Sequence, residues 1–414
     1  MKRLNILFTL LFFFFVPVQT YAEERGIKFF EGTWAEALQA AKEENKLIFV
    51  DVYTDWCPPC KKMDKEVLPL PEVGERYNEM FINVKLDAEK DEGPDLAEQY
   101  EVRAYPTYLY LDSEGNPLHR AVGYFSPSAF LAHTDQVDML VDDEHSLAKF
   151  NSAFERGERD RDFLRNYIKK RKELGLNNDE VMNAYFFQLS WEDLDKTEEL
   201  EFLAGMMNGT NNNALQFLMQ NFGGIAESTQ RVSAPNLFSL LIESSANSIK
   251  ADNPLASKQS LDFAEKLLPH VGKQEQRRFY LYGFAYQKAV KDTSGIKKGG
   301  KALTGNLMEI PLDTIYKEDA RRYEEVIAPF KNGEQDSTQI EDFEEQKKFI
   351  KNIYSREISS DLYEAAKTYS ESLAENDPAL RDALKWATRC DELMPNTQAI
   401  KELIIELKAQ LAKE

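Results

Sequence analysis

The order of apolar and polar residues divides the chain into two parts. From about residue 23 to residue 141, short apolar runs typical of strands alternate with segments whose apolar residues recur at helical spacing. The predicted elements are a strand over 27–30, a helix over 34–44, a strand over 47–53, a helix after residue 57, a helix over 72–80, a strand over 81–86, a helix over 95–100, strands over 107–111 and 118–122, and a helix from residue 126. This first part is therefore predicted to be an α/β domain.

From residue 142 to residue 414 the strand pattern disappears, and the sequence predicts an all-α domain. The predicted helices cover residues 147–156, 161–174, 179–189, 214–222, 236–246, 257–268, 273–291, 314–330, 343–357, 361–375, 380–393 and 397–411. The segment 294–300 contains three glycines and is predicted to be a loop.

The last helices of the chain resemble a divergent tetratricopeptide-type unit. Residues 383–387 and 394–396 are similar to the second helix of such a unit and its terminal proline, and residues 262–269 have a similar character. No fixed period connects these segments, so an irregular helical bundle stands as an equal alternative to divergent helical repeats.

The first 22 residues have the pattern of a secretory signal peptide. Lys2 and Arg3 precede an apolar run over residues 6–18, and residues 20–22 form a small-x-small cleavage site. The run is shorter than the roughly twenty residues that a membrane-spanning helix needs. We therefore expect cleavage after Ala22 and an exported protein, located in the periplasm if the source is a Gram-negative bacterium. An uncleaved membrane tether is the alternative.

Length and charge restrict the partners. The chain has 414 residues, which is enough for two or more hydrophobic cores. Its formal net charge is -20, and removal of Lys2 and Arg3 with the signal makes it -22. A surface this acidic argues against nucleic acid or anionic lipid as the main partner.

The candidate chemistry lies in the sequence Cys57-Pro58-Pro59-Cys60, between a predicted strand and a predicted helix. Two cysteines at this spacing can close a disulfide and cycle between dithiol and disulfide. Cys57 would lie at a helix N-terminus, where unpaired amides and the helix dipole favour a thiolate. We expect Cys57 to be the exposed nucleophile and Cys60 to be the more buried, resolving thiol.

The cysteine count weakens the other interpretations of this motif. A structural zinc site needs four ligands, but the chain has only one more cysteine, Cys390, and its four histidines form no closely spaced pair. We therefore expect no metal and no cofactor besides the redox-active disulfide. Cys390 lies in an amphipathic helical pattern and is interpreted as a buried apolar thiol.

Several separated residues make the segment 23–141 resemble the thioredoxin fold. Asp51 lies six residues before Cys57 inside an apolar run, where an unpaired charge would be costly, and Lys85 lies on the next predicted strand. The resemblance implies that Asp51 is a buried acid that shuttles a proton for Cys60, with Lys85 as its neighbour. Since Lys85 alternates with apolar residues, a solvent-facing lysine is the alternative.

The same resemblance implies a substrate-binding surface. Tyr105-Pro106-Thr107 matches the loop whose cis-proline faces the disulfide, and Gly123 matches a glycine that leaves room beside the substrate. Trp56, Pro58 and Pro59 would frame the substrate from the other side.

The cysteines are followed by Lys61-Lys62-Met63, and the segment 71–73 later leads to 81–87. In these features the segment resembles the TlpA-like and DsbD C-terminal-domain-like reductases, which implies an exported thiol-disulfide oxidoreductase with disulfide-containing protein substrates. Because an exported protein works in an oxidising compartment, we also expect an electron donor, with a membrane thiol carrier as the candidate. Pro58 and Pro59 lack amide hydrogens, so the Cys57 thiolate should be only moderately stabilised, which favours a reductase. A disulfide oxidase or isomerase, and a helical binding or scaffold protein with an accessory thioredoxin domain, are the alternatives.

Overall fold

The computed structural model describes residues 26–140, 146–334 and 343–412, so the predicted signal segment 1–22 lies outside the described residues. The strands are β1 (Leu47–Tyr53), β2 (Phe81–Asp87), β3 (Thr107–Leu111) and β4 (Pro117–Val122). The helices of the first part are α1 (Trp34–Glu44), α2 (Pro58–Glu66), α3 (Pro71–Met80), α4 (Gly93–Gln99), α5 (Pro127–Leu140), α6 (Leu147–Glu155) and α7 (Arg161–Glu173).

The helices that follow are α8 (Asp179–Phe186), α9 (Trp191–Leu194), α10 (Thr197–Met206), α11 (Asn213–Asn221), α12 (Glu227–Lys250), α13 (Pro254–Leu267), α14 (Lys273–Ala289), α15 (Thr293–Thr304), α16 (Leu312–Lys331), α17 (Phe343–Ile350), α18 (Ile353–Ser372), α19 (Leu380–Leu393) and α20 (Gln398–Ala412). The predicted combination of an N-terminal α/β thioredoxin fold with an all-α C-terminal region is confirmed. Among the helices of the described residues, none has both the length and the apolar character needed to span a membrane.

The four strands form one sheet in the order β2-β1-β3-β4. β1 and β2 are parallel, whereas β3 is antiparallel to both β1 and β4. The strand predicted over 27–30 is reduced to a single bridge between Phe29 and Asn83. The backbone amide of Ile27 instead donates to the carbonyl of Leu68, at 2.9 Å, which takes this end of the segment out of the sheet.

The sheet carries a hydrophobic core on each face. Side chains of a strand point alternately to the two faces. On β1, Ile48 and Val50 pack in a cluster with residues of α1 and α4, whereas Phe49 packs with Met63 of α2 on the other face. Asp51 has the same parity as Phe49, so it lies on the face that the cysteine-bearing helix α2 covers.

The chain forms two compact units, Met1–Asn178 and Asp179–Glu414. The boundary predicted after Val141 stays a prediction, since the first compact unit also includes α6, α7 and the loop after them. One reason is a polar contact inside this unit: the backbone amide of Asn177 donates to the carboxylate of Glu101, at 2.8 Å. The pattern of apolar residues carries no information about such a contact.

The predicted loop over 294–300 is wrong, because these residues form most of α15. The Asp292 side chain caps the helix by accepting the amide hydrogen of Gly295, at 2.9 Å. A Cβ atom added to Gly300 would lie 2.4 Å from the ring of Tyr369 on α18. The absence of a side chain at Gly300 therefore permits two helices to approach closely, and it does not mark a turn.

The helix boundary predicted between 343–357 and 361–375 is also wrong, since α17 ends at Ile350 and α18 begins at Ile353. The Asp319 carboxylate on α16 accepts the amide hydrogens of Tyr354, at 2.8 Å, and Ser355, at 3.1 Å. A carboxylate on another helix thus satisfies amides that the first turn of α18 leaves unpaired. Helical repeats in this region stay a prediction.

Replacing Gly300 with alanine should destabilise the helical unit. The added methyl group would overlap the Tyr369 ring, and such overpacking costs about 1–3 kcal/mol. Gly205 on α10 is the matched control, because a Cβ atom there meets nothing within 4 Å. We expect Gly205→Ala to be neutral or slightly stabilising in urea unfolding followed by circular dichroism. Equal effects of the two substitutions would contradict the packing role of Gly300.

Candidate active site

The two cysteines of the CPPC sequence form a disulfide at the start of α2. Cys57 is the N-cap residue, and its Sγ atom accepts the amide hydrogen of Cys60 at 3.2 Å. Pro58 and Pro59 fill the first two helical positions, where proline's fixed φ suits the helix. Since neither proline has an amide hydrogen, the Cys60 amide is the first one that the helix offers to the Cys57 sulfur.

The expected difference in burial between the cysteines is wrong for this disulfide-bonded form. Cys57 is 2% exposed and Cys60 is 4% exposed, so the predicted nucleophile is no more accessible than its partner. The reason is the capping geometry, which turns the Cys57 side chain back over the first turn of α2. The exposed neighbours are Trp56 and Pro58 instead.

Asp51 lies beneath this helix in a buried ion pair. The parallel register of β1 and β2 sets Asp51 beside Lys85, and Lys85 Nζ is 3.2 Å from Asp51 Oδ2. Burial raises the pKa of Asp51 to about 6, although the Lys85 charge opposes the rise and the Asp64 carboxylate adds to it. A buried carboxyl group with this pKa can exchange a proton near neutral pH.

Lys85 is not simply a solvent-facing lysine, because its ammonium group bonds two carboxylates. The second is Asp64, which lies on α2 one turn after Cys60. Burial lowers the pKa of Lys85, but the two carboxylates outweigh this and raise it. Asp64 was not predicted from the sequence. Its only signal is the four-residue spacing from Cys60, which directs it to the same side of α2.

The loop before β3 and the residue after β4 meet on the same sheet. The Tyr105–Pro106 peptide bond is cis, as the resemblance implies. The carbonyl of Pro106 accepts the amide hydrogen of Gly123, at 2.9 Å, and the Thr107 hydroxyl donates to the Ala104 carbonyl, at 2.7 Å. Gly123 has a φ of 102°, in the region that favours glycine. These bonds fix the shape of the loop.

Trp56 connects the cysteine segment to this loop. Its ring packs edge-on against Tyr105, with centroids 6.0 Å apart, and its indole nitrogen donates to Glu89 at 3.0 Å. The Trp56 residue is nevertheless 63% exposed. Val122, which pairs with Thr107 after this loop, is also exposed. Two large apolar side chains, Trp56 and Val122, are thus open to solvent in the segments next to the cis-proline loop.

Two other groups bear on the sequence predictions. His119 and His133 are 14 residues apart in the sequence and meet in the structure, with Nε2 and Nδ1 3.0 Å apart. Within the residues that the structure describes, no group of three or more histidine, cysteine, aspartate or glutamate side chains could hold a metal ion. Cys390 is fully buried, as predicted, and burial raises the pKa of its thiol to about 12.

Comparisons with known proteins identify the family of the N-terminal segment. A family model for a thioredoxin-like domain matches residues 34–138. A thioredoxin H-type from Brassica oleracea is 34% identical over 90 residues, which are 22% of this chain and 68% of the relative. The thiol:disulfide interchange protein DsbD of Tatumella citrea is 30% identical over 125 residues, or 29% of this chain. The chain spans 22% of the length of that DsbD protein.

A solved structure titled as a putative disulphide-isomerase from Bacteroides thetaiotaomicron is 41% identical, covers 27% of this chain and 94% of its own, and has a TM-score of 0.26. The fold, the sequence matches and the Cys57–Cys60 disulfide define a thioredoxin-like domain with a disulfide-forming cysteine pair. Through residues 34–138 the chain belongs to the thioredoxin-like family. The helical unit that follows lies outside this match.

Proposed function

We propose that the protein is an exported reductase of protein disulfides. The observation that carries the direction of the reaction is the start of α2. An N-cap side chain accepts hydrogen bonds from the second and third residues of its helix, and the second residue here is Pro59. Of these two possible donors, only the Cys60 amide can donate a hydrogen bond to the Cys57 sulfur. A thiolate with little stabilisation makes its disulfide a weak oxidant, and the dithiol a good reductant.

In the proposed reaction, the Cys57 thiolate attacks one sulfur of a substrate disulfide, and the other substrate sulfur leaves as a thiolate that takes a proton. The product is a mixed disulfide. Asp51 then accepts the proton of the Cys60 thiol, and the Cys60 thiolate attacks Cys57 Sγ. This step releases the second substrate thiolate and forms the Cys57–Cys60 disulfide. The substrate gains two electrons, and the protein loses two.

The cycle needs a dithiol donor that reduces Cys57–Cys60 again. The leader-like pattern over residues 1–22 supports an exported location, where thiols are readily oxidised. Reducing equivalents would then have to cross a membrane, and we propose a membrane thiol carrier as the donor. The exposed Trp56, which precedes Cys57, and the exposed Val122, which pairs with Thr107 after the cis-proline, support disulfide-containing proteins as substrates, since they offer apolar contact.

The reduction potential tests this proposal. We expect a value nearer to the roughly -270 mV of thioredoxin than to the roughly -120 mV of a strong oxidase, measured by equilibration with thiol-disulfide buffers. Catalysed reduction of insulin, without efficient refolding of a scrambled disulfide substrate, is the expected activity. A potential near that of the strong oxidases, together with a Cys57 pKa below about 5, would overturn the reductase assignment.

The prolines offer a more specific prediction. Pro59→Ala restores the amide of the second helical residue, which can donate to the Cys57 thiolate. We expect the potential to rise by about 30 mV, the equivalent of one hydrogen bond worth about 1.4 kcal/mol. Pro58→Ala is the matched control, because the first helical residue is not a usual donor to the N-cap side chain. Equal shifts in the two variants would contradict this account of the CPPC sequence.

A further inference from the structure

Asp64 is a charged residue of the active-site region to which the proposed reaction gives no role. It lies on α2, and its carboxylate bonds the same Lys85 nitrogen that lies 3.2 Å from Asp51 Oδ2. A lysine ammonium has three hydrogens, so it can bond both carboxylates at once. Lys85 therefore links the sheet beneath the disulfide to the helix that carries it.

Solvent exposure increases from Asp51 to Lys85 to Asp64. The side chain of Asp51 is 4% exposed, that of Lys85 is 25% exposed, and that of Asp64 is 40% exposed. The buried carboxylate has little contact with water, so the local charges decide whether it holds a proton. The exposed carboxylate is solvated, and it gives Lys85 a second carboxylate partner.

Other groups around Asp51 do not offer a competing charge. The titratable or charged groups that face it from neighbouring elements are Lys85 of β2, Tyr108 and Tyr110 of β3, and Asp64 of α2. Burial raises the pKa of both tyrosines, so they are neutral near neutral pH. The two cysteines at the start of α2 do not titrate while they form a disulfide. Lys85 and Asp64 are thus the charges that set the state of Asp51.

We infer that Asp64 is a positioning residue: by sharing the Lys85 ammonium group, it limits how strongly this lysine stabilises the Asp51 carboxylate, and it thereby keeps Asp51 able to both accept and release a proton near neutral pH. Without Asp64, Lys85 would bond Asp51 alone and would stabilise its carboxylate form more strongly. This inference rests on the proposed function in so far as Asp51 is the proton acceptor for Cys60.

The test is the titration of the Asp51 carboxyl carbon, measured by ¹³C NMR on the full-length oxidised protein, with Asp51→Asn used for assignment. We expect Asp64→Asn to lower the Asp51 midpoint by about one pH unit, since it removes a nearby negative charge and releases Lys85 to Asp51. Asp64→Glu, which keeps the charge, should retain the original midpoint. Asp138→Asn on α5 is the control for a change of net charge, because Asp138 pairs with Arg76 and not with Lys85.

Lys85→Met separates an effect through the lysine from a direct one. In that background Asp64→Asn should shift the Asp51 midpoint by less than half as much. An unchanged midpoint in Asp64→Asn, or a shift of equal size with and without Lys85, would overturn the inference. The titration can be measured whether or not the protein reduces disulfides. If only the proposed function is wrong, Asp51 will titrate as described but insulin will not be reduced.

Discussion

Replacing Cys57 with serine should lower the rate of insulin reduction by at least about a thousandfold, because a hydroxyl group is almost entirely protonated at neutral pH and cannot replace the thiolate nucleophile. The fold should be kept, since serine at this position is itself a good N-cap residue for α2. Cys390→Ala is the control. Its thiol is buried in the helical unit, so this variant should reduce insulin at the original rate.

Cys60→Ser should give a different result from Cys57→Ser. The first attack can still occur, but no thiol is left at residue 60 to resolve the mixed disulfide. We therefore expect covalent complexes that accumulate on non-reducing gels, that release their partners with dithiothreitol, and that are absent in the double variant. The captured proteins would identify the substrates. The absence of any Cys57-dependent turnover would instead favour a binding role for the helical unit.

The sequence predicts an element well where the element depends on its own residues. β1 is predicted over its full observed range because it is apolar apart from Asp51, and α1 is also predicted over its full range; in the structure the start of α1 is fixed by its own neighbouring residues, through a capping box of Thr33 and Glu36. α15 and the start of α18 are predicted wrongly for the opposite reason. Gly300 inside α15 packs against Tyr369, and the start of α18 bonds Asp319; both partners are distant in sequence.

The same distinction holds for the active site. The cysteine pair is visible in the sequence, and Asp51 is marked by its apolar surroundings. The contact between Asp51 and Lys85 depends on the register of β1 with β2, which the resemblance to the thioredoxin fold supplied. The link to Asp64 and the contact between His119 and His133 arise from the packing of helices on the sheet. The spacing of Asp64 from Cys60 indicates its side of α2, but no local pattern predicts either contact.

The buried Asp51 carboxyl group should also have a large effect on the free energy of unfolding. The pKa of Asp51 rises from a reference value of 3.8 to about 6 in the folded protein, mainly because of burial. Between these two pH values the folded state holds a proton that the unfolded state has lost, so stability falls as the pH rises through this window. Above it, the buried carboxylate costs the folded state about 3 kcal/mol, from about two pKa units of 1.36 kcal/mol each.

Asp51→Asn should therefore be more stable than the original protein by about 3 kcal/mol at pH 7.5, and about equally stable at pH 4. Lys85 keeps its bond to Asp64, so the substitution does not leave a buried ammonium group without a partner. Urea unfolding of the oxidised proteins at the two pH values measures the difference.

The same substitution, Asp51→Asn, should lower the catalytic rate although it raises stability. Without a proton acceptor for Cys60, we expect insulin reduction at neutral pH to slow by about tenfold, less than is usual for loss of a general base because a few per cent of a free thiol ionises unaided. The difference should shrink toward pH 9, where Cys60 loses its proton to solvent. A gain in stability that is the same at pH 4 and pH 7.5 would show that the Asp51 charge is not its cause. A rate unchanged at neutral pH would remove Asp51 from the resolving step.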